Sequence, residues 1–293
     1  MRLWQWILAA IVVIGGGIGL YMLTPVQGPA RDLTLVGDVE RGTYLIRLGG
    51  CVTCHTNPSN RDAELAGGAG LATPFGTFYP PNITASKTDG IGNWTLAQFS
   101  NAMSNGEGPD GHFYPAFPYD SYTLMSDQEI ADLFAALQTT TAIDTPSTPH
   151  EVGFPFNIRL AMAGWKHLFF TPKRYEADAS RSEQWNRGRY IVFGPGHCIT
   201  CHSPRNILGG LEKGKELSGN PAGGTGGKAP SLLKADLVKH EYDPATLASV
   251  LLDGFTPGFD VLGGAMGEVV RDETSQWTGA DRAAVAAYLF DID

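Results

Sequence analysis

Apolar and polar residues are distributed unevenly along this chain of 293 residues. Residues 3–23 form an almost unbroken apolar run, with Trp4 and Tyr21 near its two ends. About 20 apolar residues suffice for a helix to cross a bilayer core, and aromatic residues are enriched at both membrane interfaces. The pattern predicts a transmembrane helix within residues 1–30.

A cleaved secretory signal is the alternative interpretation of this run. The run is long for a signal, and residues 28–30 (Gly-Pro-Ala) make a poor cleavage site, so we expect an uncleaved anchor. Arg2 precedes the run and acidic residues follow it. By the positive-inside tendency, this predicts a single-pass protein of the bacterial inner membrane with its bulk in the periplasm.

Two later segments show the apolar spacing of amphipathic helices, and each follows a helix-start signal. Residues 126–129 (Ser-Asp-Gln-Glu) form a capping box ahead of the apolar pattern in residues 130–137. Residues 278–281 (Thr-Gly-Ala-Asp) have the same role ahead of residues 284–290. One face of each helix should therefore pack inward.

The pattern C-x-x-C-H occurs twice and uses all four cysteines of the chain. Its residues are Cys51, Cys54 and His55 in the first copy and Cys198, Cys201 and His202 in the second. One helical turn separates the two cysteines, so both thiols can reach the vinyl groups of one porphyrin. The next histidine then reaches the iron. The pattern predicts two covalently bound haem c groups, with iron as the metal.

Other interpretations of a C-x-x-C pair are half of a zinc site and a thioredoxin-like redox pair. Two such pairs can also form one four-thiolate zinc site. The histidine that follows the second cysteine in both copies, and the long separation of the pairs, favour haem.

The rest of the chain is an internal repeat. Arg41-Gly-Thr-Tyr44 matches Arg187-Gly-Arg-Tyr190, and each leads into a haem motif. Each copy then runs through a long Gly/Pro-rich loop, a short helix and a further loop to its terminal helix. This order is typical of a small cytochrome c domain, so we predict an all-α protein with two tandem cytochrome c domains and an N-terminal transmembrane helix.

The repeat predicts four segments: an anchor at 1–30, cytochrome c domains at 31–141 and 183–293, and a connector at 142–182. The connector has a helical apolar pattern over residues 157–170, and we expect this helix to pack across both domains. A second membrane contact is the alternative. Arg159, Lys166 and His167 interrupt the apolar run and weigh against it.

The sixth iron ligand decides what each haem does, because methionine opposite histidine gives a closed, electron-transferring iron. In the second copy, Met266 is the expected ligand, in a glycine-rich loop ahead of the last helix. In the first copy, Phe117 stands where the repeat places methionine, and it cannot bind iron. We expect Met125 there, with His112 or an open iron as alternatives.

Four further residues are candidates around the haems. In c-type domains a proline carbonyl accepts the other N–H of the proximal histidine and fixes its ring, a role that fits Pro81 and Pro230. Arg205 and the Trp94 indole are candidates to pair with haem propionates. The net charge of −9 argues against nucleic acid as a partner.

Four sequence segments together resemble the multihaem cytochrome c subunits of membrane-bound bacterial alcohol, gluconate and sorbitol dehydrogenases. They are residues 90–95 (Gly-Ile-Gly-Asn-Trp-Thr), 114–119 (Tyr-Pro-Ala-Phe-Pro-Tyr), 154–157 (Phe-Pro-Phe-Asn) and 185–188 (Trp-Asn-Arg-Gly). Those subunits typically carry three haem motifs where this chain has two. Many of them also have methionine at the position of Phe117.

The resemblance implies that catalysis resides in a separate dehydrogenase chain, and that this protein relays single electrons onward without being an enzyme itself. The acceptor would be a quinone-linked complex, a small cytochrome c or a terminal oxidase. One alternative is a dihaem subunit of a terminal oxidase. Another is a dihaem enzyme, of the thiosulfate dehydrogenase or peroxidase type, with the first haem open.

Overall fold

The computed structural model describes residues 3–224 and 227–293, and this part of the chain is mostly helical. The α-helices are α1 (Leu3–Met22), α2 (Val39–Leu48), α3 (Cys51–His55), α4 (Leu96–Asn105), α5 (Tyr119–Tyr122), α6 (Asp127–Leu137), α7 (Ala161–Phe169), α8 (Glu183–Phe193), α9 (Cys198–His202), α10 (Lys234–Lys239), α11 (Pro244–Asp253), α12 (Gly264–Asp272) and α13 (Gly279–Leu289). A 3₁₀ turn spans Thr274–Gln276.

Short antiparallel strands, which the sequence analysis did not predict, lie within the loops. They are β1 (Leu71–Thr73), β2 (Gly76–Phe78), β3 (Glu107–Gly108), β4 (Gly111–His112), β5 (Glu151–Val152), β6 (Asn220–Gly224) and β7 (Gly227–Ala229). They pair in the orders β1-β2-β5, β3-β4 and β6-β7. Ribbons this small are held by the surrounding loops, because strands of two to five residues are too short to be stable alone.

Helix α1 stands apart from the body of the protein. Its span Trp4–Met22 has a mean hydropathy of 1.8 and is 0% buried. By length and composition it can cross a membrane, and a signal sequence would pass the same test. Its C-terminal end contacts α7.

Helices α2 and α6 cross at a glycine, which explains the first copy of the Arg-Gly repeat. A Cβ atom on Gly42 would lie 1.9 Å from the Asp132 carbonyl oxygen, so only glycine permits this approach. The neighbouring Arg41 donates from Nε to the Asp132 carboxylate at 2.8 Å. Backbone contact and ion pair together fix the crossing.

Helices α8 and α13 repeat this arrangement in the second half. A Cβ atom on Gly188 would lie 2.0 Å from the Ala284 carbonyl oxygen, and Arg187 donates from Nε to Asp281 at 2.8 Å. The predicted helix starts are also present. The Ser126 hydroxyl accepts from the Glu129 N–H, and the Thr278 hydroxyl accepts from the Asp281 N–H.

The segment between the two halves contacts both of them. The buried Lys166 of α7 donates to the Asn105 and Gly106 carbonyl oxygens, each at 2.7 Å. Trp165 of the same helix donates from Nε1 to the Leu208 carbonyl oxygen at 2.8 Å. The helix begins at Ala161, later than the predicted start at residue 157, because the preceding residues fold into turns around Pro155.

Candidate haem-attachment sites

The first Cys/His motif is a single short helix, α3, that begins from a left-handed residue. Gly50 precedes it with φ 64°, a conformation that glycine adopts without strain. Within the helix, His55 is buried and its Nδ1 lies 2.7 Å from the Pro81 carbonyl oxygen. A carbonyl accepts only an N–H, so Nδ1 carries the proton and the Nε2 lone pair is available for a metal.

The second motif, α9, has the same construction. His197, with φ 35°, takes the place of the glycine before the helix, and His202 Nδ1 lies 2.8 Å from the Pro230 carbonyl oxygen. Burial lowers the pKa of both proximal histidines, His55 and His202, and outweighs the opposing effect of the proline carbonyls. Both rings are therefore neutral near pH 7, which is the form that binds iron.

The four cysteines form no disulfide in the structure, and three of them lie in surroundings unlike those of reactive thiols. Burial raises the pKa of Cys51, Cys54 and Cys198 to about 12. A thioredoxin-like nucleophile needs a thiolate and therefore a lowered pKa, which these surroundings do not supply. In the described ranges, no group of three or more His, Cys, Asp or Glu side chains is arranged to hold a metal ion by itself.

Polar atoms left without partners test whether a porphyrin fits these motifs. Thr53 and Thr200 occupy the same position in the two motifs. In the described part of the chain, the hydroxyl oxygen of each is buried without a hydrogen-bond partner. The Tyr119 hydroxyl and the indole nitrogens of Trp185 and Trp277 are buried in the same way. Native interiors rarely leave such groups unpaired, so the residues present fit a large additional group that carries polar substituents.

The two motifs are close to each other. Cys201 is near enough to Cys54 to raise its pKa further, after burial and Glu273. A Cβ atom on Gly50 would lie 2.7 Å from Glu273 Oε2 and 3.1 Å from His197 Nε2. Gly50, which precedes α3, and His197, which precedes α9, therefore lie together with Glu273. We call these three residues the inter-motif junction.

Sequence reasoning missed the polar residues of this junction. Burial raises the pKa of Glu273 well above its usual range and lowers that of His197 to about 4, so burial favours the uncharged form of both side chains. The Tyr122 ring lies 5.7 Å from the His197 ring, and its hydroxyl donates to the Gly49 carbonyl oxygen at 2.6 Å. No sequence signal identifies these residues, because they come from distant segments.

Met266, the expected iron ligand of the second half, lies in a helix. It occupies the first turn of α12, where the sequence predicted a loop. The helix begins at Gly264, whose φ of 57° lets the chain turn sharply into it. Met266 is partly buried and packs against the hydrophobic core.

Met125, the expected ligand of the first half, is fully buried immediately before α6. Arg31 donates from Nη1 to its carbonyl oxygen at 2.6 Å, which fixes the backbone at this point. The Phe117 ring lies 5.3 Å from the ring of Tyr122, whose hydroxyl donates to the Gly49 carbonyl oxygen just before the first motif. Of the alternatives, His112 accepts a hydrogen bond at Nδ1 from Lys166 Nζ at 3.2 Å, which puts the proton of the neutral ring on Nε2 and leaves no free lone pair for a metal.

The two candidate propionate partners differ in their surroundings. Arg205 donates to the Gly209 carbonyl oxygen at 2.8 Å and to the Thr200 carbonyl oxygen at 3.2 Å, so its guanidinium contacts the backbone of the second motif. Burial raises the pKa of the nearby Asp120 carboxyl, and the Arg205 charge partly opposes this shift. Trp94 is partly buried against the core of the first half.

The chain is similar to proteins of several bacteria. It is 42% identical over 286 residues to a dihaem c-type cytochrome of Cereibacter sphaeroides, covering 96% of this chain and 95% of that protein. It is 37% identical to the fructose dehydrogenase cytochrome subunit of Gluconobacter japonicus, over 86% of this chain and 52% of that protein. It is 34% identical to the alcohol dehydrogenase (quinone) cytochrome c subunit of Gluconacetobacter polyoxogenes, over 90% of this chain and 57% of that protein.

No family model matches the chain. Its length is nearly that of the Cereibacter protein, whereas it spans only about half of the two dehydrogenase subunits. The similarity therefore extends over most of this chain and over part of those longer proteins.

Proposed function

The chain belongs to the c-type dihaem cytochromes, and we propose that it is a membrane-anchored cytochrome that relays single electrons from a dehydrogenase to the respiratory chain. The single observation that carries this proposal is the duplicated C-x-x-C-H helix with its neutral, carbonyl-bound histidine. Each bound haem supplies a one-electron ferric/ferrous couple, and the protein sets its ligands, burial and spacing.

The residues that would hold the two haems follow from the motifs. Those of the first haem are Cys51 and Cys54 as thioether donors and His55 and Met125 as iron ligands. Those of the second haem are Cys198 and Cys201 as thioether donors and His202 and Met266 as iron ligands. Pro81 and Pro230 orient the histidine rings, while Trp94 and Arg205 are proposed propionate partners.

The closeness of the two motifs supports transfer between the haems. Cys201 is near enough to Cys54 to affect its pKa, so haems attached to the two motifs would lie in neighbouring parts of the protein. Electrons could then cross from one half to the other within one chain.

We infer that the two helical halves are tandem cytochrome c domains at 31–141 and 183–293, joined by the connector at 142–182. In each half the first helix crosses the last one at a glycine, as α2 crosses α6 and α8 crosses α13. The halves are thus copies of one helical design, and the short strands are additions in the loops. This accounts for the repeat in the sequence.

The proposed partner and location rest on the relatives and on α1. The two dehydrogenase subunits among the relatives support a dehydrogenase as electron donor. The acceptor would be a quinone-linked complex, a small cytochrome c or a terminal oxidase. The helix α1 would anchor the protein in the bacterial inner membrane, with the two halves in the periplasm.

One specific observation favours a second candidate function. Phe117 stands where the sequence repeat places methionine, and phenylalanine cannot bind iron, so an open first iron would make this protein a dihaem enzyme. Carbon monoxide separates the two proposals. A relay with two closed irons excludes it from the ferrous protein, whereas an open iron binds it and shifts the Soret band.

The main proposal is tested on full-length protein matured with its haem-attachment machinery. Intact mass spectrometry should show two added haem masses, and Cys201→Ser should weaken the covalent attachment of one. The protein should co-purify from detergent-solubilised membranes with a dehydrogenase whose substrate reduces both haems. Purification of a chain without porphyrin would reject the haem assignment, and haems that no dehydrogenase reduces would reject the relay.

A further inference from the structure

Helix α7 of the connector has two different faces. Its inward face, formed by Ala163, Lys166 and the adjoining Phe170, is buried against the first half. The opposite face carries the exposed Leu160 and Leu168, with Ala161 and Gly164 between them at helical spacing. We call these four residues the outward stripe. It is apolar along its whole length, and about half of each leucine is exposed, at 52% and 56%.

The charged residues of this segment are turned away from the outward stripe. Lys166 is only 1% exposed, because its ammonium group donates to two carbonyl oxygens and lies 5.1 Å from the Tyr119 ring centroid. The Arg159 guanidinium lies 5.0 Å from the Tyr114 ring centroid. Lys166 and Arg159, which interrupt the apolar run in the sequence, thus make their contacts inside the folded protein. The objection that they raised to a membrane contact does not apply to the folded chain.

The C-terminal end of α1 rests on the outward stripe. A Cβ atom on Gly164 would lie 3.6 Å from Met22 Cε and 3.7 Å from the Met22 carbonyl oxygen. Beside it, the His167 ring lies 4.6 Å from the Tyr21 ring, and its Nε2 lies 3.0 Å from the Thr24 carbonyl oxygen. The last turn of α1 and the stripe therefore lie at the same level along the axis of α1.

The length of α1 sets that height. A helix of 20 residues spans ~30 Å, which equals the thickness of a bilayer hydrocarbon core. In a membrane-spanning α1, Met22 would lie at the edge of the hydrocarbon, and the stripe that contacts it would lie in the headgroup region. Phe154 and Ile158 extend the exposed apolar surface on the approach to α7, at 82% and 46% exposure.

We propose that the outward stripe, together with Phe154 and Ile158, is a second membrane contact that lies in the lipid headgroup region beside α1. An amphipathic segment binds there when its apolar face enters the acyl boundary and its polar face does not. This inference rests on the proposal that α1 is an anchor. It adds that the body is held against the membrane in one orientation, where an anchor alone would leave it on a tether.

Photolabelling of the haem-loaded full-length protein tests both ideas separately. The protein is reconstituted into phosphatidylethanolamine/phosphatidylglycerol vesicles that contain a phospholipid with a diazirine near the headgroup end of its acyl chain. After irradiation, mass spectrometry of peptides should find label in α1 and in residues 154–170. Label in α1 alone would overturn the second contact. The absence of label from α1 would instead reject the anchor.

Matched variants show whether the outward stripe makes the contact. In Leu160→Glu/Leu168→Glu, labelling of residues 154–170 should fall about tenfold while α1 labelling stays unchanged, because two buried leucines are lost from the interface. Val238→Glu/Leu252→Glu changes two aliphatic side chains of similar exposure on α10 and α11 and should leave all labelling unchanged. Unreduced labelling in the stripe variant would contradict the proposal. If the double variant does not mature, Leu168→Gln is the milder version of the same test.

Discussion

Tyr44 of α2 donates a hydrogen bond to the Asp281 carboxylate of α13 at 2.5 Å, from one half of the protein to the other. The reciprocal bond is also present, because Tyr190 of α8 donates to Glu129 of α6 at 2.7 Å. Each tyrosine is the last residue of the repeated Arg-Gly-x-Tyr, and each acid is the third residue of a terminal helix. The two bonds are therefore copies of one contact, and together they fix the halves and the two haem motifs in one arrangement.

Removing both tyrosine hydroxyls should loosen this arrangement. Tyr44→Phe/Tyr190→Phe is expected to lower the free energy of unfolding by about 2–4 kcal/mol, because each bond to a carboxylate contributes about 1–2 kcal/mol at a partly buried site. Denaturant unfolding of the haem-loaded protein measures the change. Tyr242→Phe is the control, since within the described residues the Tyr242 hydroxyl makes no hydrogen bond. Equal stability of the double variant and the control would show that the reciprocal bonds do not join the halves.

The glycine at each helix crossing gives a second prediction. Gly188→Ala places a methyl group about where the Ala284 carbonyl oxygen lies, so α8 and α13 must separate. We expect a loss of about 3 kcal/mol or more, as for overpacking in a tight core. Gly279→Ala, in the first turn of α13, meets nothing within 4 Å and should be neutral or slightly stabilising. Thermal unfolding of both variants tests the contrast, and similar melting temperatures would disprove the close crossing.

The buried Glu273 predicts a pH dependence of stability. Burial raises the pKa of its carboxyl in the folded state, so its contribution is fully present below the unfolded value of about 4.3 and is lost as pH rises through the folded pKa. Glu273→Gln keeps the shape of the neutral acid and removes the titration. The variant should therefore lose less stability than the wild type as pH rises above about 4.3. Denaturant unfolding at a series of pH values tests this, and parallel curves would mean that the pKa of Glu273 is the same in the folded and unfolded protein.

Replacement of Met266 tests the ligand of the second iron. Met266→Ala should convert one of the two haems to high spin and lower its reduction potential, because the axial thioether stabilises the ferrous state. The near-infrared methionine–iron charge-transfer band and a redox titration measure the change. Met162→Ala, a methionine of α7, is the control and should leave both spectra intact. An unaltered spectrum of Met266→Ala would remove this residue from the ligand set.

The first iron is tested by a parallel comparison. Met125→Ala should produce the same spectral change at the other haem. His112→Ala should leave the spectrum unchanged, because the Nδ1 atom of His112 is already engaged by Lys166. If His112→Ala alone alters the first haem, the preferred ligand is wrong. If neither variant does, the iron is open and should bind carbon monoxide in the unmodified protein.

Local spacing determined what the sequence could predict by itself. The separation of Cys51, Cys54 and His55 places them on one helical turn wherever that turn lies, and the same holds for the second copy. The helix-start signals before α6 and α13 act within four residues, and the hydropathy of α1 is a property of a single segment. These features depend on neighbours in the chain, so their prediction needed no tertiary contact.

Packing between distant segments decided the rest. Met266 lies in the first turn of a helix in place of the predicted loop. The left-handed Gly264 and the contact of Met266 with the core outweigh the flexibility of the glycine-rich segment. Lys166 interrupts an apolar run in the sequence, yet it is buried because two carbonyl oxygens at the C-terminal end of α4 accept hydrogen bonds from its ammonium group. Glu273 joins the haem motifs only after α3, α9 and α12 have come together, since no pattern along the chain encodes a contact between residues more than 70 positions apart.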